Sequence, residues 1–275
     1  MINPSGLIQP INLSVPHLPS CLEGARIAHL SDLHITRPRR RLNRLQALLG
    51  NLRVDMVVFT GDYITREGNE DIGESVMRTL CEPLRPRLGV YGVFGNHDTP
   101  HLRHRLSHLP IRWLNNQSRR VQDLPLLVFG FEADLTTMPD SVNALFELES
   151  NNGWQAEGPD ADHETKPLRL LLCHFPNYLP IAADLGVDIM FTGHSHGGQC
   201  RLPGARALVN SSDLPLRLTS GILRHRNTIA VVSRGLGESR LPLRLFCPPH
   251  LPIYTLRRGS LPGTASEHIV NVEPW

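Results

Sequence analysis

The strongest constraint on this chain is a pattern that recurs five times: a short apolar run that stops at an aspartate, a histidine or an asparagine. Residues 57–62 read Val-Val-Phe-Thr-Gly-Asp. A run this short, β-branched and free of charge predicts a strand buried on both faces, and Gly61 lets the backbone turn sharply so that Asp62 sits on the strand tip. Residues 27–30 run into Ser31-Asp32-Leu33-His34, and residues 90–94 run into Gly95-Asn96-His97-Asp98. Residues 168–173 lead to His174-Phe175-Pro176, and residues 189–192 to Gly193-His194-Ser195-His196. In open α/β sheets, ligands gather beyond the carboxyl ends of strands, so the five tips predict one shared site.

Helical patterns separate the early tips. Leu42, Leu45, Leu48, Leu49 and Leu52 fall at helical spacing after Arg39-Arg40-Arg41, with Gly50 as a stop, and residues 70–84 form a second helix through Ile72, Val76 and Leu80. Each helix returns the chain to a parallel neighbour, as β-α-β crossovers do. Residues 7–18, with Pro10 and Pro16, read as an edge strand or extended arm flanking the first core strand. Beyond the third tip, His101, His104 and His108 belong to a loop or short helix that either lines a cleft or presents a solvated face. Strands are expected at 111–114, 124–131, 228–233, 241–246 and 253–256, and helices at 139–148 and 178–185. The polar stretch 151–166 is a surface loop, either a lid or a tolerated insertion. The arginines between 39 and 44 either lie on a membrane surface, meet substrate phosphate, or form the charged outer face of an ordinary packing helix.

A length of 275 residues fits one large α/β domain, and no break in composition favours two, so residues 1–258 are expected as a single domain and 259–275 as a frayed C-terminal tail. A net charge of +2 gives no reason to expect a stable nucleic-acid partner. The five cysteines form no Cys-x-x-Cys pair, which argues against a thiolate zinc site and a disulfide framework and fits a reducing compartment. The first residues carry neither a basic start nor a long apolar run, and no stretch reaches the roughly 18 apolar residues of a membrane span. A soluble, cytoplasmic protein is expected.

The tips supply Asp32, His34, Asp62, Asn96, His174, His194 and His196, an oxygen and nitrogen set without thiolate that suits Mn, Fe, Zn or Mg. Seven side chains are too many for one ion and fill two sites if a carboxylate bridges, with Asp62 on the central tip the natural bridge. Two divalent ions roughly 3.5–4 Å apart polarise a phosphoryl oxygen and lower the pKa of a shared water, so that a bridging hydroxide attacks phosphorus without a covalent enzyme intermediate. This chemistry fits phosphoester hydrolysis.

In order and spacing, Asp32-Leu33-His34, Gly61-Asp62, Gly95-Asn96-His97-Asp98, His174 and Gly193-His194-Ser195-His196 resemble the five motifs of the calcineurin-like metallophosphoesterases. The resemblance implies a four-layer α-β-β-α sandwich of two mixed β-sheets flanked by helices. It implies one ion held by Asp32, His34, Asp62 and His196, and a second by Asp62, Asn96, His174 and His194. It also implies that His97 contacts the substrate phosphate and protonates the leaving oxygen while Asp98 orients His97. Gly193 to Gln199, Arg201-Leu202-Pro203, Arg234-Gly235-Leu236-Gly237 and Leu241-Pro242-Leu243-Arg244 resemble the bacterial YaeI/YkuE-type phosphodiesterase branch. Some relatives hydrolyse the pyrophosphate of UDP-2,3-diacylglucosamine, so the resemblance implies a small-molecule or lipid-linked phosphoester substrate and admits peripheral membrane contact. The competing activities are a phosphomonoesterase or protein phosphatase, and a non-catalytic metal-binding scaffold of the same fold. Asp98 where protein phosphatases carry Glu speaks against the phosphatase, and retention of His97 against the scaffold.

Overall fold

The computed structural model describes residues 6–37, 40–132, 166–203, 206–208, 214–239 and 241–275. The first sheet is built from β1 (Ile8–Val15), β2 (Arg26–Leu30), β3 (Met56–Thr60), β4 (Val90–Val93), β5 (Arg112–Trp113) and β14 (Leu251–Arg258), in the order β1-β14-β2-β3-β4-β5. Strands β2 to β5 are parallel, whereas β14 runs antiparallel to β2 and parallel to β1. The second sheet comprises β6 (Gln117–Arg120), β7 (Leu126–Phe131), β8 (Leu168–Cys173), β9 (Ile189–Thr192), β12 (Gly221–His225), β13 (Thr228–Val232) and β15 (Val270–Glu273), in the order β15-β12-β13-β9-β8-β7-β6. Here β7, β8, β9 and β13 are parallel and the outer pairings antiparallel. A short hairpin, β10 (Arg201–Leu202) with β11 (Arg206–Ala207), stands apart.

Successive strand side chains point to opposite faces, and here both faces are buried. Ile27, Val58 and Val93 of the first sheet meet Leu170, Leu172, Phe191 and Val231 of the second in one core between the sheets. The alternate residues Ala28, Leu30, Val57 and Phe59 face outward, where they are covered by helices α1 (Arg40–Gly50), α2 (Glu70–Cys81) and α3 (Pro100–Leu106) through Leu45, Met77 and Leu102. Leu171, Cys173 and Met190 on the outer face of the second sheet are covered by α4 (Leu179–Asp184). The result is four layers, α-β-β-α. Thr99 caps α3, its hydroxyl accepting from the Leu102 amide, with Pro100 at the first helical position. His101, His104 and His108 fall on solvated positions, while α1 buries Leu42, Leu45 and Leu49 as a packing helix.

Several expectations are corrected. The arm at 7–18 is an edge strand, but β14 lies between it and the first core strand. Residues 241–246 form no strand beyond a single bridge from Leu245 to Cys200, because Leu241, Leu243 and Phe246 face solvent. The segment after 259 is not a frayed tail throughout, since β15 pairs antiparallel with β12. The expected helix at 139–148 and most of the loop at 151–166 lie outside the described residues.

Candidate metal centre

The strand tips converge in a backbone conformation that side chains rarely adopt. Asp32 (φ 51°), His34 (φ 44°), Asp62 (φ 56°), His194 (φ 68°) and His196 (φ 52°) are all left-handed. For residues other than glycine this costs roughly 1–2 kcal/mol each, and such strain clusters at functional sites. Backbone bonds hold the first two tips together, from the Asp32 amide to the Gly61 carbonyl (3.0 Å) and from the His34 amide to the Asp62 carbonyl (3.0 Å). The approach is so close that a Cβ on Gly95 would stand 2.2 Å from Asp62 Oδ1, and one on Gly193 would collide with Ser31 Oγ and Asp32 Oδ2.

Two groups of side chains result: Asp32, His34 and His196, and Asp62, His174 and His194, each with its donor atoms within 4.8 Å of one another. In the first, His34 Nε2 lies 2.9 Å from His196 Nε2, and Asp32 Oδ1 lies 3.4 Å from His196 Nε2. In the second, Asp62 Oδ2 lies 3.2 Å from His174 Nε2, which is 3.3 Å from His194 Nδ1. The groups join at Asp62, whose Oδ2 is also 3.4 Å from His34 Nε2. Donor atoms bonded to one divalent ion at about 2.1 Å and roughly 90–110° apart stand about 3.0–3.4 Å from each other. The spacings and the oxygen and nitrogen chemistry therefore fit a divalent ion at each group, with Asp62 Oδ2 within reach of both.

Each donor is aimed by a second contact. Asp62 Oδ1 accepts from the His97 amide (3.0 Å), which leaves Oδ2 toward the histidines. Asp32 Oδ1 accepts from the His194 amide (3.0 Å) and Oδ2 from the Ser31 hydroxyl (2.6 Å). His174 Nδ1 donates to the Thr60 carbonyl at 2.7 Å; since a carbonyl can only accept, Nδ1 carries a hydrogen, and Nε2 is the atom that a metal would take in exchange for its proton. His97 Nδ1 likewise donates to the Thr65 carbonyl at 2.7 Å, leaving Nε2 as the free end of a half-buried ring.

The electrostatics follow from burial and pairing. Burial opposes the charge on Asp62, but His174 and then His34 and His97 outweigh it and hold the carboxyl far below the usual carboxylate range. Against its own burial, His174 is pushed up to about 9 by Asp62 and Asp32. Burial pushes His34 down to about 4, and burial with the nearby His34 and Arg244 holds His196 well below the ordinary imidazole value. Burial raises Asp32. A divalent cation competes with the His174 proton for the same carboxylate, so binding here is coupled to proton release.

One expected role is corrected. Asp98 does not orient the His97 ring: its carboxylate accepts from the Asp62 amide (2.8 Å), the Tyr63 amide (2.8 Å) and the Gly95 amide (2.7 Å), binding the second and third tips together. Burial and the Asp62 charge push Asp98 upward, yet the strong contacts are all donors, so the carboxylate is the form this loop accommodates. Asn96 stands exposed in the turn after β4, and among the described residues no hydrogen bond ties its side chain to either group. The other expected ligands all converge.

Sequence reasoning left several contributors unassigned. Ser31, Thr60 and Thr65 act through a hydroxyl or main-chain carbonyls and carry no metal-ligand signature. Arg244 sends its guanidinium to the carbonyls of Arg234 (2.7 Å), Gly235 (3.3 Å) and Gly237, with Nη2 3.3 Å from His196 Nδ1. The Arg234-Gly-Leu-Gly motif is explained by contact: a Cβ on Gly235 would stand 2.7 Å from Asp32 Cβ, and the Gly237 amide donates to the Asp32 carbonyl at 2.6 Å.

A sequence model of the family described as calcineurin-like phosphoesterase matches residues 25–198, the span that carries every convergent ligand. The chain is 27% identical over 240 residues to the uncharacterized metallophosphoesterase YkoQ of Bacillus subtilis, covering 84% of this chain and 83% of the relative. It is 28% identical over 239 residues to the phosphodiesterase YaeI of Escherichia coli, covering 84% and 82%. It is 26% identical over 293 residues to the UDP-2,3-diacylglucosamine pyrophosphatase LpxG of Chlamydia muridarum, covering 84% and 83%.

Proposed function

Because the chain belongs to the calcineurin-like phosphoesterase family, a family of metal-dependent phosphoric ester hydrolases, we propose that it hydrolyses phosphodiester or pyrophosphate bonds with two divalent ions, Mn, Fe, Zn or Mg, at this centre. Asp32, His34, Asp62 and His196 would hold one, and Asp62, Asn96, His174 and His194 the other. The observation that carries the reading is Asp62 Oδ2, placed 3.4 Å from His34 Nε2 and 3.2 Å from His174 Nε2 and so common to both groups. When bound, such a pair supplies Lewis acidity to a phosphoryl oxygen and acidifies water to near neutrality.

The chain's own residues complete the chemistry. The His97 amide fixes which Asp62 oxygen faces the histidines, and the Thr65 carbonyl turns the His97 ring so that Nε2, when the ring is the imidazolium, can give its proton to a departing alkoxide and leave the neutral ring with its hydrogen on Nδ1. That proton matters for poor leaving groups such as alkyl esters. The relatives named for diester and pyrophosphate cleavage favour a bond between two substituents over a monoester. A lipid-linked substrate such as UDP-2,3-diacylglucosamine is the specific candidate.

The test is hydrolysis by metal-loaded protein of bis-p-nitrophenyl phosphate, p-nitrophenyl phosphate and UDP-2,3-diacylglucosamine, together with equilibrium dialysis for metal content. Turnover of the diester above the monoester, with two ions per chain, is expected. No turnover of any ester, or saturation at one ion, overturns the reading.

A further inference from the structure

Six of the eight large apolar side chains most exposed among the described residues fall in two neighbouring segments beside the metal centre. Leu241 is 63% exposed, Leu243 55%, Leu245 44% and Phe246 60%, while Leu202 and Leu208 are half exposed on and beside the β10–β11 hairpin. The segments are joined: the Arg201 amide donates to the Leu245 carbonyl (2.9 Å) and the Leu245 amide to the Gln199 carbonyl (3.1 Å). Gln199 Nε2 also donates to the Leu241 carbonyl (2.8 Å). The backbone that carries these side chains is thus anchored, and the exposed leucines are presented by a held loop. An apolar patch of this kind on a protein surface marks an interaction site.

The same loop uses its inward positions on the metal ligand. Between the exposed leucines, Arg244 reaches His196 Nδ1 at 3.3 Å, and Cys247 Sγ donates to the His196 carbonyl at 3.4 Å. Whatever covers the outer side chains therefore lies next to the His196 ligand group. Two features identify what that is. In residues 199–208 and 239–247 the charged residues are Arg201, Arg206, Arg240 and Arg244, with no acid. Arg41 pairs with Glu238, just before the loop, at 2.5 Å, which brings the first turn of α1 with the exposed Arg40 and Arg44 to the same side. Exposed apolar tips beside the exposed Arg40 and Arg44, in a stretch of sequence that carries no acid, match the interface of an anionic bilayer. Leucine is under-represented among the anchor residues of protein–protein interfaces, which disfavours a protein partner.

We propose that loop 241–246 and the adjoining hairpin dock on an anionic lipid surface, inserting Leu241, Leu243, Leu245 and Phe246 and setting the metal centre at the lipid–water boundary. This deepens the reading above, on which its catalytic consequence rests: a phosphoester anchored in a bilayer would reach the centre without leaving the membrane. Among the described residues no helix is long and apolar enough to cross a membrane, and the docking proposed here is peripheral.

The experiment is flotation of the full chain with vesicles of phosphatidylcholine alone and of phosphatidylcholine with phosphatidylglycerol, at low and high salt. Wild type is expected to float with the anionic vesicles, less so at high salt and least with phosphatidylcholine alone. Leu243→Ser combined with Phe246→Ser should lower the partition coefficient at least about tenfold, since each side chain withdraws a large apolar surface from water. Its hydrolysis of soluble bis-p-nitrophenyl phosphate should be unchanged, which also confirms that it folds. Failure of the wild type to float, or equal flotation of the double variant, overturns the proposal. So does a concentration-dependent dimer in light scattering that the double variant loses, which would make a second copy the occupant. Flotation without hydrolysis of any ester would sink the catalytic reading and leave the docking intact.

Discussion

Replacing Asp98 with Asn tests the reassigned role of this carboxylate. The substitution keeps the shape of the side chain but removes its charge and turns one of its two oxygens into an NH2 group. Oδ2 serves two amides, Asp62 and Gly95, and Oδ1 serves Tyr63, so the better rotamer sacrifices the Tyr63 bond and sets one donor against another. Asp98 is 3% exposed, which leaves little room for water to take the lost place. One charge-assisted bond is worth about 1.5–3 kcal/mol, and the two that remain fall to the strength of neutral bonds, so the expected loss is about 3 kcal/mol. Urea unfolding of metal-free protein measures it. Because the same amides position Asp62, metal affinity should fall by about tenfold, a shift of about 1.4 kcal/mol read by titration calorimetry. The rate loss should be similar for p-nitrophenyl and alkyl esters, since the leaving group does not sense Asp98. A variant as stable as wild type would mean that Asp98 is held as a neutral acid and that the amide accounting is wrong. A loss confined to poor leaving groups would restore Asp98 as the group that orients His97.

His97→Ala should retain both ions, because the bond from residue 97 to Asp62 Oδ1 comes from the main chain, and should slow alkyl esters by about 10²- to 10⁴-fold with much less effect on p-nitrophenolate release. Loss of an ion, or equal slowing of good and poor leaving groups, would exclude the proton-donor role. The buried His29, held to Thr60 Oγ1 at 2.7 Å, is pushed down to about 3 by burial, so the folded chain stays neutral there while the unfolded chain binds a proton from about pH 6.5 downward. Its stabilising contribution is present above pH 6.5 and is lost as the pH falls toward 3, so His29→Leu should flatten the stability–pH slope in that window by up to about 1.4 kcal/mol per unit. Equal slopes for variant and wild type in urea unfolding would refute it.

The candidate centre was legible because its expected ligands are punctuation. Short runs such as residues 57–60 can only be strands buried on both faces, and a charged or imidazole side chain at the end of such a run has one place to go. Reading failed where pairing is long-range or where adjacency misleads. Nothing local in residues 251–258 says that they insert between β1 and β2, since that order depends on a partner more than 200 positions away. Strand β12 escaped because it carries Arg224 and His225, both buried, in place of an apolar run. Residues 241–246 looked like a strand because their leucines alternate, yet the alternation separates solvent from the His196 surroundings instead of two faces of a sheet. Asp98 follows His97 in sequence, but its carboxylate turns back to the amides of the neighbouring tips.

The left-handed backbone at Asp32, His34, Asp62, His194 and His196 sets foldability against chemistry at five positions. Glycine would relax each of them, and elsewhere a relaxed backbone is a gain; here each such gain deletes a donor. A library of variants ranked only for resistance to heat should therefore enrich glycine at these five positions while activity disappears, so that the positions where the fold would rather have glycine trace the outline of the centre.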